Sequence, residues 1–196
     1  MMTALVCALI CAVFLFADLI TKTVVFSLDV AQKNYFLDIV RINRTENHGM
    51  MLGIANTSPG WVMDLVTAIT GVMIVGIAVL FFTAFKRNKP ARVCLAIIEA
   101  GAIGNFIDRV CLTYVRDFID VKKVWFIPGY VCNVADICIM VGAVVLIFVI
   151  LFIGKSAVFP LTKKWREEGK KEDELRAAAK KEKAAQKAGG KRNQKK

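Results

Sequence analysis

The stretch VRDFIDVKKVWFIPGYVCNVADICIM, residues 115–140, holds three aspartates: Asp117, Asp120 and Asp136, the last leading into an almost wholly apolar run. Two carboxyl groups close together in a low-dielectric site cannot both ionise easily, so they share a proton. One then serves as a base toward water while the other, protonated, supports the developing oxyanion. That is aspartic peptide hydrolysis, and it needs neither metal nor cofactor. Asp117 and Asp136 are the natural pair, because the intervening segment is long enough to fold back. Plainer readings stand beside this one. Asp117 and Asp120 read equally as exposed loop carboxylates, and Asn133 with Asp136 as an N-terminal helix cap.

Other polar residues interrupt the apolar runs, where a charge at the bilayer centre costs about 2.5–3.5 kcal/mol. Asp18 and Lys22 are four apart and share a helix face, as a salt bridge or as a polar shelf for substrate. In GAIGNFIDRV (101–110), Gly101 and Gly104 allow close helix approach. Asn105 and Arg109 face one way, as an interfacial cap or as part of a site. Asn47 and Gly49 sit in a turn-like context. Glu99 stands mid-span with no partner apparent from the sequence.

Several hydrolase classes are excluded. The six cysteines (7, 11, 94, 111, 132, 138) show no metal spacing and His48 is the only histidine, so no metal or other cofactor is expected. HExxH and GxGD are absent. Ser27 and Ser58 have no obvious lysine in reach, and GKSA (154–157) has no later histidine to serve it.

The elements that must hold these residues are membrane spans. The chain of 196 residues is 57% hydrophobic, concentrated in long runs, as in a membrane protein. The runs predict four helices, roughly 3–26, 62–85, 92–110 and 134–154. The first lacks the basic leader and small-residue cleavage site of a signal peptide. KRNKPAR (86–92), between spans two and three, carries four basic residues and no acid. By the positive-inside rule that side is cytoplasmic, with both termini. Segments 28–60 and 113–130 then face outside. A membrane domain over 1–160 is followed by a tail, 161–196. Residues 163–196 hold 14 Lys/Arg and 6 Asp/Glu, a balance of +8. The basicity is thus a tail property suited to anionic lipid, not a groove for nucleic acid. Residues 163–188 are helix-prone and AGGKRNQKK reads as disorder.

The chain resembles the bacterial lipoprotein signal peptidases, signal peptidase II, over roughly residues 10–150. DLITK (18–22) is similar to their D-x-x-[ST]-K element and NHGMMLG (47–53) to their N-x-G-x-x-[FL]-G loop. GAIGNFIDRV resembles GGxxGNxxDR, while VRDFID and CNVAD resemble V-x-D-F and F-N-x-A-D. Cys132, Leu19, Arg116, Met50, Met51 and Glu99 depart from the usual pattern. The resemblance implies an all-α integral membrane fold of four transmembrane helices. A small extracytoplasmic β-cradle and amphipathic segment would lie between helices 1 and 2. It implies cleavage of diacylglyceryl-modified prolipoproteins N-terminal to the lipidated cysteine, in the bacterial inner membrane among phospholipids, by a monomer. Asp117 and Asp136 would be the catalytic pair. Asn105, Arg109 and Asn133 would order the site and hold substrate, with Asp18, Lys22, Asn47 and Gly49 lining it. Asp108, Gly101 and Gly104 would be structural.

A rival reading is a small transporter or proton conductor using Asp18, Lys22, Glu99 and Asp136. It predicts that Glu99 matters most and Asp117 little. A purely structural four-span subunit would tolerate loss of Asp117 altogether.

Overall fold

The computed structural model describes residues 2–27, 34–35, 40–48, 60–83, 85, 88–121, 130–154 and 157–193. In order they form α1 (Met2–Ser27), β1 (Asn34–Tyr35), β2 (Val40–Asn47), α2 (Gly60–Phe82) and α3 (Lys89–Leu112). β3 (Val115–Val121), β4 (Tyr130–Cys132), α4 (Val134–Phe152) and α5 (Lys163–Asn193) follow. The chain divides into two compact units, Met1–Leu146 and Ile147–Lys196.

Among the described residues, α1, α2 from Trp61, and α4 are long and apolar enough to cross a membrane. Their large side chains point outward: Leu9, Phe16, Leu65, Val72 and Val144 are all exposed. That inverts the soluble pattern and suits a hydrocarbon solvent. Hydroxyls on these helices are satisfied locally. Thr67 and Thr70 donate to the carbonyls of Met63 and Val66, each at 2.8 Å, so these two hydroxyls do not face lipid unpaired.

α3 differs in kind. Its 24 residues include Lys89, Arg92, Glu99, Asp108 and Arg109, and it packs against both α1 and α2. Small residues make that possible, with Ala91, Ala96, Ala100, Gly101, Ala102 and Gly104 all buried. A Cβ on Gly101 would collide with the carbonyl oxygen of Ala135, and one on Gly104 with the Asp18 carboxylate. Asn88 caps the start, its side chain accepting from the Ala91 N–H at 3.1 Å, and Pro90 stands where its missing N–H costs nothing. At the other end Thr113 adopts φ 66°, and its N–H bonds the Arg109 carbonyl at 3.1 Å. That left-handed turn costs a non-glycine residue roughly 1–2 kcal/mol. Thr113→Gly is therefore expected to raise thermal stability by about 1 kcal/mol equivalent; an unchanged or lower melting temperature contradicts the strain.

The sheet is antiparallel, in the order β1-β2-β3-β4. Segment 28–60 supplies only half of it. β3 and β4 come from the segment between α3 and α4, so Asp117 stands on a strand rather than in a loop. Strand β2 contains an irregularity: Ile42 pairs Ile119, but the next partner of Asp117 is Thr45. The extra residue re-aims the strand and brings Asn47 onto the Asp117 face. Gly49, Pro59 and most of the stretch proposed as amphipathic lie outside the described residues.

In the second unit, Val158 and Phe159 donate to the carbonyls of Ile150 and Leu151 at 3.1 and 2.7 Å, reversing the chain after α4. α5 continues to Asn193, past the point where the sequence suggested disorder. Its lysine- and alanine-rich context carries the helix through Gly189 and Gly190.

Candidate active site

The capping and carboxylate readings of NVAD turn out to describe one arrangement. Asn133 caps α4: its Oδ1 accepts from the Asp136 N–H at 2.9 Å. Asp136 Oδ2 in turn accepts from the Asn133 N–H at 3.1 Å, a reciprocal capping box. The remaining Asn133 amide hydrogens are thereby aimed away from the helix. They reach Asp117 Oδ1 at 2.6 Å and Asn105 Oδ1 at 3.1 Å. One asparagine, itself fully buried, thus ties strand β3 to the start of α4 and links both aspartates.

Each carboxylate has a second donor. Asn47 Nδ2 donates to Asp117 Oδ2 at 2.8 Å, and Asn105 Nδ2 donates to Asp136 Oδ1 at 2.8 Å. Asp117 is only 2% exposed. Burial, then the charge of Asp136, pushes its carboxyl up from the usual range to about 7. The pair can therefore hold a proton near neutral pH, which two solvated carboxylates cannot. Burial likewise lifts the Cys132 thiol to about 12, with Asp136 and Asp117 adding to it, so that thiol stays protonated beside the site.

Behind this lies a charged support. Lys22 Nζ donates to Asn105 Oδ1 at 2.9 Å and pairs with Asp18 at 2.7 Å and Asp108 at 3.3 Å. An ammonium only donates, so it forces the oxygen of Asn105 inward and its NH2 toward Asp136. Asp18 Oδ1 also accepts from the Ala135 N–H at 2.8 Å, placing a carboxylate against the first turn of α4, where the helix dipole favours it. Lys22 and Asp18 are 0% and 1% exposed. They sit behind Asn105 rather than on a surface substrate can touch.

Asp108 links α3 to β3. It accepts from Arg116 Nη2 at 2.8 Å and from the Arg116 N–H at 3.0 Å, anchoring the strand one residue before Asp117. Arg116 is a site-building residue that sequence reasoning registered only as a departure from pattern. The signal available was an acid at the end of one element and a base at the start of the next, eight residues apart. Asp120 is buried too, on the Arg41 guanidinium, whose Nε lies at 2.9 Å; it belongs to the sheet. Arg109 Nη1 reaches only the Asn105 carbonyl, at 3.5 Å. Its Nε is buried without a partner, and Asp136, Asp117 and Asp108 all lie within its electrostatic reach. Among the described residues no three His, Cys, Asp or Glu side chains are grouped to hold a metal.

Comparison with known proteins places the chain in a family. The Signal peptidase (SPase) II family pattern matches residues 10–152. The lipoprotein signal peptidase of Sphingopyxis alaskensis is 34% identical over 149 residues, 74% of this chain and 85% of its own. That of Clostridium acetobutylicum is 32% identical over 150 residues, 73% and 92% of the two chains. A solved bacterial membrane enzyme superposes with a TM-score of 0.66 at 25% identity, covering 74% of this chain and 87% of that one. These matches favour the peptidase over the transporter and the structural subunit. The chain belongs to the signal peptidase II family, and is a peptidase rather than a carrier.

Proposed function

We propose that the protein removes signal peptides from diacylglyceryl-modified prolipoproteins, cutting N-terminal to the lipidated cysteine, with Asp117 and Asp136 as the catalytic pair. The observation that carries this is the joint hold of Asn133 on both carboxylates. Water between them loses a proton to the ionised carboxylate as its oxygen attacks the scissile carbonyl. The protonated partner hydrogen-bonds the developing oxyanion. The proton then passes to the departing cysteine amine as the C–N bond breaks. Asn105 and Asn47 keep the carboxylates in place, and the unpartnered Arg109 edge is available to a substrate carbonyl.

In this reading α3 is the fourth span. At 24 residues it covers about 36 Å, with Asp108 buried against Lys22 and Arg116. The sheet and site lie at the extracytoplasmic face, because KRNKPAR and the basic tail both favour the cytoplasm.

The test is cleavage by the full chain in detergent of one prolipoprotein prepared with and without diacylglyceryl on its cysteine, followed by gel shift and mass spectrometry. Only the lipidated form should be cut, leaving cysteine as the new N-terminus; equal cutting of both sinks the substrate assignment. The profile of kcat/KM against pH should fall as pH rises past about 7. Asp117 then ionises beside Asp136 and the pair loses the proton it must donate. A flat alkaline profile contradicts the shared-proton mechanism.

A further inference from the structure

Glu99 takes no part in the site described above. It lines a cavity of about 180 Å3 between α1, α2 and α3, together with Ala8, Cys11, Ala78, Phe81 and Leu95. The cavity lies toward the start of α1 and the end of α2. Asp18, Lys22 and Asn105 occupy the opposite half of the same helices. Apart from Glu99 its walls are almost wholly apolar, and Glu99 Oε2 is buried with no hydrogen-bond partner.

A carboxyl group within a span is ordinarily matched by a cation or a donor of the protein itself. Among the described residues none is supplied. Arg92, seven residues earlier and so about 10 Å along the helix, is held on Phe81 of the cavity wall, its guanidinium carbon 4.1 Å over that ring. Lys22, eleven residues beyond Cys11, is enclosed by Asp18, Asp108 and Asn105. What the protein leaves is an apolar space with one acidic group on its wall. An apolar cavity of about 150 Å3 accepts a benzene ring, so this one has room for a ring or short alkyl body with a small head. A carboxylate in hydrocarbon selects a cationic head over a neutral one of the same size, since only the cation offsets its charge.

We propose that this cavity is a binding site for a small hydrophobic ammonium ion, whose apolar body packs between α1, α2 and α3 and whose head pairs with Glu99. The site is independent of the peptidase centre: Glu99 contacts neither Asp117 nor Asp136, and binding is read without turnover.

The experiment uses the full chain in lipid nanodiscs and para-fluorobenzylamine as the probe, followed by fluorine NMR line broadening against empty nanodiscs. Para-fluorobenzyl alcohol is the neutral comparator. The amine should bind saturably and the alcohol about tenfold more weakly or worse. Glu99→Gln should remove the difference between them. Ala8→Leu, which keeps the carboxyl but fills the space, should block both; it tests the site even where the Glu99 variant does not fold. Amine and alcohol binding alike in the wild type would overturn the proposal. So would saturable binding untouched by either substitution, or no saturable binding at all.

Discussion

Asp117→Asn and Asp136→Asn are each expected to lower cleavage of a lipidated prolipoprotein by at least about 10²–10⁴-fold, the range of a lost general acid or base. The substitutions change few atoms, and the geometry says the fold survives them. Asp117 accepts from two amide NH2 groups, of Asn47 and Asn133. An asparagine there can still accept through its one oxygen, with modest rearrangement. At position 136 an asparagine oxygen can still accept from the Asn133 N–H in the capping box. Neither variant can share a proton across the pair, so base and acid are no longer supplied together. The measurement is single-turnover cleavage with melting temperature recorded alongside. Full activity in either variant removes that carboxyl from the chemistry. The two losses should also fail to add, because the carboxyls act as one unit.

Lys22→Met carries the second large expectation, and there the loss is of structure and chemistry together. Removing one member of a buried ion pair costs about 3–5 kcal/mol, because its partners stay charged and out of water. Among the described residues Asp18 is left without an ion-pair partner, and Asp108 keeps that with Arg116. The Asn105 amide also loses one of the two donors that fix its orientation, keeping only that of Asn133, so its NH2 is held less firmly toward Asp136. A marked drop in melting temperature should therefore accompany a fall in kcat in whatever fraction remains folded. Pairing Lys22→Met with Asp18→Asn separates the two effects. The double variant should recover part of the stability, since one uncompensated charge is gone. It should not recover turnover, since Asn105 still lacks the Lys22 donor that helps to orient it. Recovery of both, or a wild-type melting temperature for Lys22→Met alone, would falsify the support role given to Lys22.

Much of this protein was legible before any coordinates, for a definite reason. Spans announce themselves because lipid demands about 20 apolar residues in a row, and three of the described helices are long and apolar enough to cross a membrane. The Asp18–Lys22 pair follows from helical spacing alone, as does the shared face of Asn133 and Asp136. Motif order then pointed to the peptidase family.

Tertiary structure decided the rest. That Asp117 rides on a strand, that β2 bulges before Thr45, and that Asn47 thereby faces Asp117 all depend on pairing between segments some 70 residues apart. No local pattern encodes that register. That Asp18 and Lys22 stand behind Asn105 rather than at the site's surface depends on how closely α1, α3 and α4 approach, which Gly101 and Gly104 permit. Arg116 became a positioning residue only when Asp108 was seen to hold it. The sequence by itself determined which residues must be hidden from lipid and in what order they come, because hydrophobicity and helical period are local. Which carboxylate each amide holds, and so where a proton can rest, was decided only by packing.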